Sequence, residues 1–247
     1  MNRWEYLIRR LGSGVFVILG VLLVTFILSR VLPGDPASLY LGHRASAEKV
    51  EEVREELGLN DPMLVQFVRY VSSTLRGEFG YSFFTKRLII DDLKVRFPAT
   101  MELVILSMLV TLLVGIPVGV LGAARRGNWF DKTSRIITIS GVSIPVFLLA
   151  LLMQLLFFLY LDWLPLSGRL SREVLINHPI ETISGIYLID AAISGNWIAW
   201  KDVLWHLVMP VITLAVYPIS LVVRMTRASM IDVLSETYVE AARASGL

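Results

Sequence analysis

The sequence contains no cysteine, which excludes disulfide bonds and thiolate metal sites from this chain. Its three histidines, His43, His178 and His206, are far apart in the sequence and form no metal-ligand pattern. Composition therefore disfavours a directly bound metal ion, and we expect no cofactor. The absence of cysteine does not by itself identify the cellular compartment.

Catalytic patterns are missing as well. The phosphate-binding pattern G-x-x-x-x-G-K-[ST] does not occur, which excludes P-loop binding of ATP by this chain. No convergent set of nucleophile, base or metal ligands stands out, so a membrane enzyme is disfavoured. The long apolar segments contain no acidic residue apart from Glu102 at one end, which argues against an ion-coupled secondary transporter. We expect a protein that is not an enzyme, and a purely structural membrane subunit remains open.

Charged residues make up only 18% of the chain, whereas about a quarter of the residues of a soluble protein are charged. Hydrophobic residues make up 55%. The first apolar run is longer than the core of a signal peptide, about 7–15 residues, so we expect it to be retained. The predicted fold class is all-α, a polytopic transmembrane helix bundle. Its four spans, each near the roughly 20 residues that a bilayer requires, are 11–29, 103–124, 136–161 and 203–223.

The distribution of lysine and arginine predicts the orientation of the spans. If the N-terminus is cytoplasmic, the inner segments hold ten basic and five acidic residues, and the outer segment 162–202 holds three basic and five acidic. We therefore expect the amino end, the loop 125–135 and the tail after Val223 to face the cytoplasm.

The segment 182–200, TISGIYLIDAAISGNWIAW, is moderately apolar and would reverse the orientation of everything after it if it crossed the membrane. Asp190 in its middle is costly in hydrocarbon, and Gly195, Asn196 and the two tryptophans suit an interfacial position. We favour an external loop with short helices over a fifth span.

The stretch 33–98 has the pattern of two amphipathic helices. Ser46 can cap the first helix, which Gly58 ends, and Asp61-Pro62 starts the second. We expect both helices to lie against the spanning bundle without chemistry of their own. Their apolar stripes are Val50, Val53 and Leu57 in the first, and Leu64, Phe67, Val68, Val71 and Leu75 in the second.

Small and kink-forming residues recur inside the apolar runs. Gly115, Gly119 and Gly122 favour close approach of a neighbouring helix. Four prolines each remove a backbone donor and can kink a helix: Pro117, Pro145, Pro210 and Pro218.

After the last apolar run comes a short polar helix pattern, SETYVEAARASGL, at 235–247. Thr237 and Glu240 have the spacing of a capping box, and Gly246 can terminate the helix. The alanines favour helix, and Arg243 suits its C-terminal end. Because an isolated helix of about two turns is marginal in water, something must hold it in place.

This terminal segment has an apolar side made of Ile231, Leu234, Tyr238, Ala241 and Ala242. Small alanines on that side would let another backbone approach closely. The pattern leaves two interpretations open. The segment is either a docking helix that fits a groove on a partner, or a surface helix packed on the ends of its own bundle.

The stretch YVEAARASGL resembles the cytoplasmic Glu-Ala-Ala loop of ABC importer permeases, with Glu240, Ala241, Ala242 and Gly246 at the matching positions. Other motifs, in the right order along nearly the whole chain, resemble the dipeptide/oligopeptide/nickel branch of that family. They are LPGDP after the first run, LGLNDP at 57–62, RFPATMEL before the second run, LPLSGR after the third, and HLVMPVITLAVYPISLVVRMTRASMIDVLSETY before the loop.

The resemblance implies a permease subunit of an ATP-driven importer in the inner membrane of a prokaryote. Its solutes would be di- or oligopeptides delivered by an external binding protein, with nickel chelates or oligosaccharides as alternatives. The implied partners are two ABC ATPase subunits, a second homologous permease, the solute-binding protein and membrane lipid, but no nucleic acid. The implied ATPase-coupling residues are Thr237, Tyr238, Glu240, Ala241, Ala242, Arg243 and Gly246.

The resemblance also implies an organisation along the chain. The family has six spans, of which four are expected here, so the chain is expected to be truncated within the Glu-Ala-Ala loop. The implied parts are a cytoplasmic N-terminus with the first span (1–32), an external helical subdomain (33–98) and an incomplete transmembrane domain (99–247).

Three polar side chains lie near the outer ends of predicted spans. We expect Glu102 and Arg30 to extend to the membrane interface rather than to bind solute. We expect His206 to have a core or interfacial role.

Overall fold

The computed structural model of the chain describes residues 3–31, 36–41, 45–82 and 84–246. In this part of the chain the one β-type pairing is an isolated bridge between Tyr81 and Leu88, so the all-α prediction is confirmed. His43 and most of the LPGDP motif lie outside the described residues. The helices are α1 (Arg3–Val31), α2 (Pro36–Leu41), α3 (Ala47–Glu56), α4 (Met63–Leu75), α5 (Ile89–Ala124), α6 (Trp129–Ser143), α7 (Val146–Met153, continued by π-helical Gln154–Tyr160), α8 (Arg172–Asn177), α9 (Tyr187–Ile193), α10 (Trp197–Leu234) and α11 (Thr237–Ala244).

Three described helices, α1, α5 and α10, are long and apolar enough to cross a membrane on their own. The pair α6 and α7 qualifies only when taken together, and it is bent by 104° at its break. The predicted third span, 136–161, is therefore a bent pair of helices, and the kink expected at Pro145 is confirmed. Pro145 precedes α7 and lacks the N–H that would continue the α6 ladder, and Ile144 before it is extended, as expected for a residue preceding proline.

The other prolines of the apolar runs are accommodated inside helices. Pro98 and Pro117 lie within α5, which has 36 residues, and Pro210 and Pro218 lie within α10, which has 38. Both helices start earlier than the apolar runs indicate, because their first turns are amphipathic rather than apolar.

The chain divides into two compact units, residues 1–94 and 95–247. The three-part division at 32 and 98 stays a prediction. In the first unit the two predicted amphipathic helices are confirmed as α3 and α4. The Ser46 hydroxyl accepts a hydrogen bond from the Lys49 N–H at 3.3 Å, and Gly58 has a φ of +61°, the left-handed conformation that ends a helix.

The apolar stripe of α4 is partly covered within this unit. Phe67 meets Phe26 of α1 edge to face, with ring centroids 5.4 Å apart. Leu64 and Leu75 remain 79% and 78% exposed. The stripe therefore packs on α1 at its middle only.

The second unit is built around α10. Val203, Leu207 and Val211 are buried on it, and Leu103 and Val110 of α5 pack against them. Farther along, α5 approaches α10 through its glycines. A Cβ added to Gly119 would lie 2.7 Å from the Thr226 Cβ, closer than real Cβ contacts come. The close helix packing predicted from these glycines is confirmed.

The segment 182–200 contains the short helix α9 and then the first residues of α10. The prediction of a loop with short helices in place of a fifth span is confirmed. Asp190 anchors this loop from within and is completely buried.

Candidate functional site

The site predicted from the sequence is the short helix α11, which follows α10 directly. α10 ends at Leu234, and only Ser235 and Glu236 separate it from Thr237, the first residue of α11. The Ser235 N–H donates to the Ile231 carbonyl at 3.1 Å, which closes α10. The Val239 N–H donates to the Glu236 carbonyl at 2.9 Å, which starts α11. α11 is therefore joined to α10 by a two-residue turn.

The two ends of α11 test the sequence prediction differently. Gly246 has a φ of +85°, so its predicted role in terminating the helix is confirmed. Thr237 is the first helical residue rather than the residue before the helix, so its placement as N-cap is off by one position. The side chains of Glu240 and Arg243 lie outside the described part of the structure, and the Glu240 half of the capping box stays a prediction.

The predicted apolar side does not form one continuous face, because the break at Ser235 and Glu236 interrupts the helical spacing. Tyr238 is 63% exposed, Ala241 is exposed and Ala242 is half-buried. A large exposed aromatic residue beside small alanines is a surface that another protein can cover. Exposure of this kind favours the docking interpretation over packing on the chain's own bundle.

A buried ion pair lies near the same end of α10. Arg227 donates from Nε to Asp131 Oδ1 at 2.6 Å and from Nη2 to Asp131 Oδ2 at 3.0 Å. The Gly127 N–H also donates to Asp131 Oδ2, at 3.1 Å. Asp131 is 2% exposed. The pair ties the first turn of α6 to α10, with the two-bond geometry that makes arginine–carboxylate contacts directional.

A cavity of about 690 Å³ lies in the second unit between α5, α7 and α10. Its wall is mainly apolar, with a few polar groups, which is the usual character of a small-molecule site. Val146, Phe147 and Ala150 of α7 form one side. The polar lining groups are Glu102, Gln154, Ser167, Arg169, His206 and Thr213.

The expectation that Glu102 extends to the membrane interface is wrong. Glu102 is 2% exposed and accepts from Arg169 Nη2 at 2.7 Å and from the Leu188 N–H at 2.8 Å. Arg169 also donates to the Gly185 carbonyl at 2.8 Å, and its guanidinium lies 3.5 Å from the centroid of the Tyr187 ring. Burial of the Glu102 carboxylate is compensated because the Arg169 guanidinium and the Leu188 N–H replace the hydrogen bonds that water would make.

His206 and Arg30, the other two polar residues near predicted span ends, contact neighbouring groups of this chain. His206 is 8% exposed, and its Nδ1 lies 2.8 Å from the Asp202 carbonyl oxygen, so the predicted core role is confirmed. Arg30 is half-buried, and its guanidinium lies 5.5 Å from the centroid of the Phe26 ring. Its extension to the membrane interface stays a prediction.

Asp190 holds the loop before α9 by accepting four hydrogen bonds. The donors are the N–H groups of Ile183, Ser184 and Gly185 and the Ser184 hydroxyl, at 2.7 to 3.2 Å. Burial acts to raise the pKa of Asp190, but these hydrogen bonds outweigh it and hold the pKa below its usual range. The sequence indicates that Asp190 would be costly inside a membrane span, whereas in the structure Asp190 holds this loop together.

Sequence reasoning missed both buried ion pairs. Their partners are 96 and 67 residues apart in the chain, so no local spacing reveals them. A weak signal was present, since Asp131 and Arg227 are opposite charges at the same predicted end of two spans. Glu102 and Arg169 share the other end.

Two family models match the chain. The model described as "Binding-protein-dependent transport system inner membrane component" matches residues 115–247, and so covers all the candidate coupling residues. The model described as "Binding-prot-dependent transport system membrane comp, N-term" matches residues 3–104.

Curated relatives agree with these matches. The chain is 43% identical over 247 residues to the Escherichia coli "Probable D,D-dipeptide transport system permease protein DdpB", covering 100% of this chain and 72% of the relative. It is 36% identical over 241 residues to the "Dipeptide transport system permease protein DppB" of Alkalihalophilus pseudofirmus, covering 98% and 71%. It is 34% identical over 243 residues to the Escherichia coli "Glutathione transport system permease protein GsiC", covering 98% and 69%.

Proposed function

This chain belongs to the family of binding-protein-dependent transport system inner membrane components, the permease subunits of ABC importers, and we propose that its solutes are di- or oligopeptides. As a permease it is not itself an enzyme, and it works with an ATPase and a solute-binding protein. The peptide assignment is supported by the relatives at 36–43% identity, which are named for dipeptides.

We propose that α11 is the element through which ATP hydrolysis acts on this subunit, with Thr237, Tyr238, Glu240, Ala241, Ala242, Arg243 and Gly246 as its coupling residues. The observation that carries this proposal is the placement of α11: an exposed two-turn helix joined to the central helix α10 by two residues. A force applied to α11 reaches α10 without passing through a long flexible linker.

The finer arrangement is proposed on the same basis. Two ATPase subunits bind under a pair of permeases, this chain and a second homologous one, with the binding protein on the opposite side. The N-terminus and α11 then both face the cytoplasm, which agrees with ten basic residues against five acidic ones in the predicted inner segments. The bundle switches between two packed states as the ATPases close and open.

Docking of α11 is tested with Ala242→Glu. A partner groove that encloses the small side chain of Ala242 has no room for a larger one, so the added carboxylate should abolish co-purification of the ATPase. Ala244→Glu is the matched control, since Ala244 is exposed and two residues along the same helix. Undiminished ATPase co-purification with Ala242→Glu would reject α11 as the docking element.

The solute is tested by uptake in membrane vesicles that contain the complete importer and its binding protein. Labelled dipeptide should accumulate with ATP, and unlabelled dipeptide should compete. Competition by a nickel chelate or an oligosaccharide, with none by dipeptides, would reject the peptide assignment while leaving the importer class intact.

A further inference from the structure

We propose that Asp131 and Arg227 are positioning residues that transmit the movement of α11 to α6 and α7, and so to the wall of the cavity. This inference rests on the proposed role of α11 as the coupling helix. It concerns a contact far from the Glu-Ala-Ala segment itself.

The first step is the distance along α10. Arg227 lies seven residues before the end of α10 at Leu234, which is about 10 Å of helix at 1.5 Å per residue. α11 follows after two further residues. Arg227 therefore moves with the segment of α10 that α11 displaces.

The second step is the contact itself. Three hydrogen bonds meet at the Asp131 carboxylate, two from Arg227 and one from the Gly127 N–H. The Arg227 side chain is 20% exposed and that of Asp131 is 3% exposed. Because the Asp131 carboxylate is almost fully buried, sliding or rotation of the two helices would break charged hydrogen bonds at oxygens that little water can reach.

α5 lies beside this ion pair, and α6 and α10 meet again farther along their length. Gly122 of α5 faces the Arg227 side chain, and an added Cβ there would lie 3.7 Å from the Arg227 Cδ and 3.7 Å from the Ser134 hydroxyl. These are ordinary van der Waals distances, so α5 flanks the Arg227 side chain where it extends from α10 to α6. A second α6–α10 contact lies farther up, where Gly141 approaches Ser220 and Val216.

The third step is the path from Asp131 to the cavity. Asp131 is in the first turn of α6, and the rigid helix carries its displacement to the break at Ile144 and Pro145. There the chain turns by 104° into α7. Val146, Phe147 and Ala150 on α7 line the cavity. A pull at Asp131 thus tilts α6 and moves one wall of the cavity.

The inference predicts uncoupling rather than inactivity. The test uses the whole importer, with ATPase and binding protein, in proteoliposomes, and measures ATP hydrolysis and dipeptide uptake together. Arg227→Lys keeps the charge but replaces the two-bond contact with a single flexible one. We expect hydrolysis to stay within about twofold of the unmodified importer, while uptake per ATP falls at least tenfold.

Arg224→Lys is the matched control, because Arg224 is an exposed arginine one turn away on α10. It should leave uptake per ATP unchanged. The double variant Asp131→Arg with Arg227→Asp exchanges the two charges and restores an ion pair at the same place. We expect it to recover part of the uptake per ATP that Arg227→Lys loses. A purely structural pair would affect the amount of folded subunit and not the ratio of uptake to hydrolysis.

Three outcomes would overturn the inference. Uptake and hydrolysis that fall by the same factor with Arg227→Lys show no specific transmission. Uptake and hydrolysis that both stay at the level of the unmodified importer show that the pair is dispensable for transport. Failure of both the single and the exchanged variant to accumulate as folded subunit assigns the pair to folding alone. ATPase binding despite Ala242→Glu would instead reject the proposed function, independently of these ratios.

Discussion

The two ends of α10 are built differently. At the Trp197 end the surrounding chain is fastened by many separate bonds: Asn196 binds the His178 carbonyl, Asp202 accepts from the Ser171 N–H, and Trp205 donates to the Trp163 carbonyl. The Glu102–Arg169 pair and the loop held by Asp190 provide further contacts at this end. At the Leu234 end, the described residues show the Asp131–Arg227 pair and then the exposed α11.

This contrast suits a helix that transmits movement. The Trp197 end of α10, the anchored end, is fastened to the surrounding loops by several hydrogen bonds. At the Leu234 end, the working end, α5 and α6 pack on α10, the Asp131–Arg227 pair adds a directional contact, and α11 follows. We expect substitutions at the anchored end to reduce stability and those at the working end to reduce coupling.

The largest expected effect is from Arg169→Ala at the anchored end. It leaves the Glu102 carboxylate, 2% exposed, without its cation, and loss of one partner of a buried pair costs about 3–5 kcal/mol. Thermal unfolding of the purified subunit in detergent should show a clear drop in Tm. Arg172→Ala is the control, since Arg172 is exposed at the start of α8, three residues along the chain. Equal Tm values for the two variants would show that this end is not anchored by the pair.

Asp190→Asn should have the next largest effect. The carboxylate accepts four hydrogen bonds, and asparagine keeps one acceptor oxygen, so only part of them is lost. We expect a loss of about 1.5–3 kcal/mol, the size of one hydrogen bond to a charged group. The loop 182–196 should become sensitive to proteolysis, whereas Glu181→Gln, at an exposed position, should leave it resistant.

The same residue gives a pH dependence. Because the folded pKa of Asp190 is lowered, its contribution to stability is present above the usual aspartate pKa of about 3.9 and is lost as the pH falls through the lowered value. The difference in unfolding free energy between the unmodified chain and Asp190→Asn should therefore be full at pH 7 and shrink below about pH 4. A difference that is constant from pH 7 to pH 3 would contradict the lowered pKa.

Gly119→Ala probes the close α5–α10 contact at Thr226, the residue before Arg227. The added Cβ would lie 2.7 Å from the Thr226 Cβ and 3.0 Å from the Val223 carbonyl oxygen, so the helices must separate. Overpacking of this kind costs about 1–3 kcal/mol. Gly20→Ala on α1 is the control, because an added Cβ there meets nothing within 4 Å. A Tm for Gly119→Ala at or above that of Gly20→Ala would show that the helices relax at no cost.

Tyr238→Ala at the working end should have the smallest effect on stability. Tyr238 is 63% exposed, and surface substitutions usually change stability by less than about 0.5 kcal/mol. ATPase stimulation by the binding protein should nevertheless fall, because the exposed ring is part of the proposed docking surface. A large loss of Tm would mean that α11 packs on its own bundle, the interpretation that the sequence pattern also left open.

Predictions from local pattern succeeded where neighbouring residues decide the outcome. The caps of α3, the glycine that ends α11 and the short helices of 182–200 all depend on residues within one or two turns. The kink in the third span was predicted from Pro145, but its size was not, because an apolar run fits a straight helix or a bent pair alike. The bend of 104° needs the extended conformation of Ile144 as well as the missing donor of Pro145.

Sequence by itself determined that this chain is a helical membrane protein, which family it belongs to, and where its short terminal helix lies. These properties follow from composition, periodicity and contiguous motifs, and each can be read over a few turns of chain. Tertiary structure alone decided that Glu102 meets Arg169 and that Asp131 meets Arg227, across 67 and 96 residues. A buried charge needs a partner of opposite sign, but which partner it finds depends on how helices cross, and that geometry is set by the packing of the whole bundle.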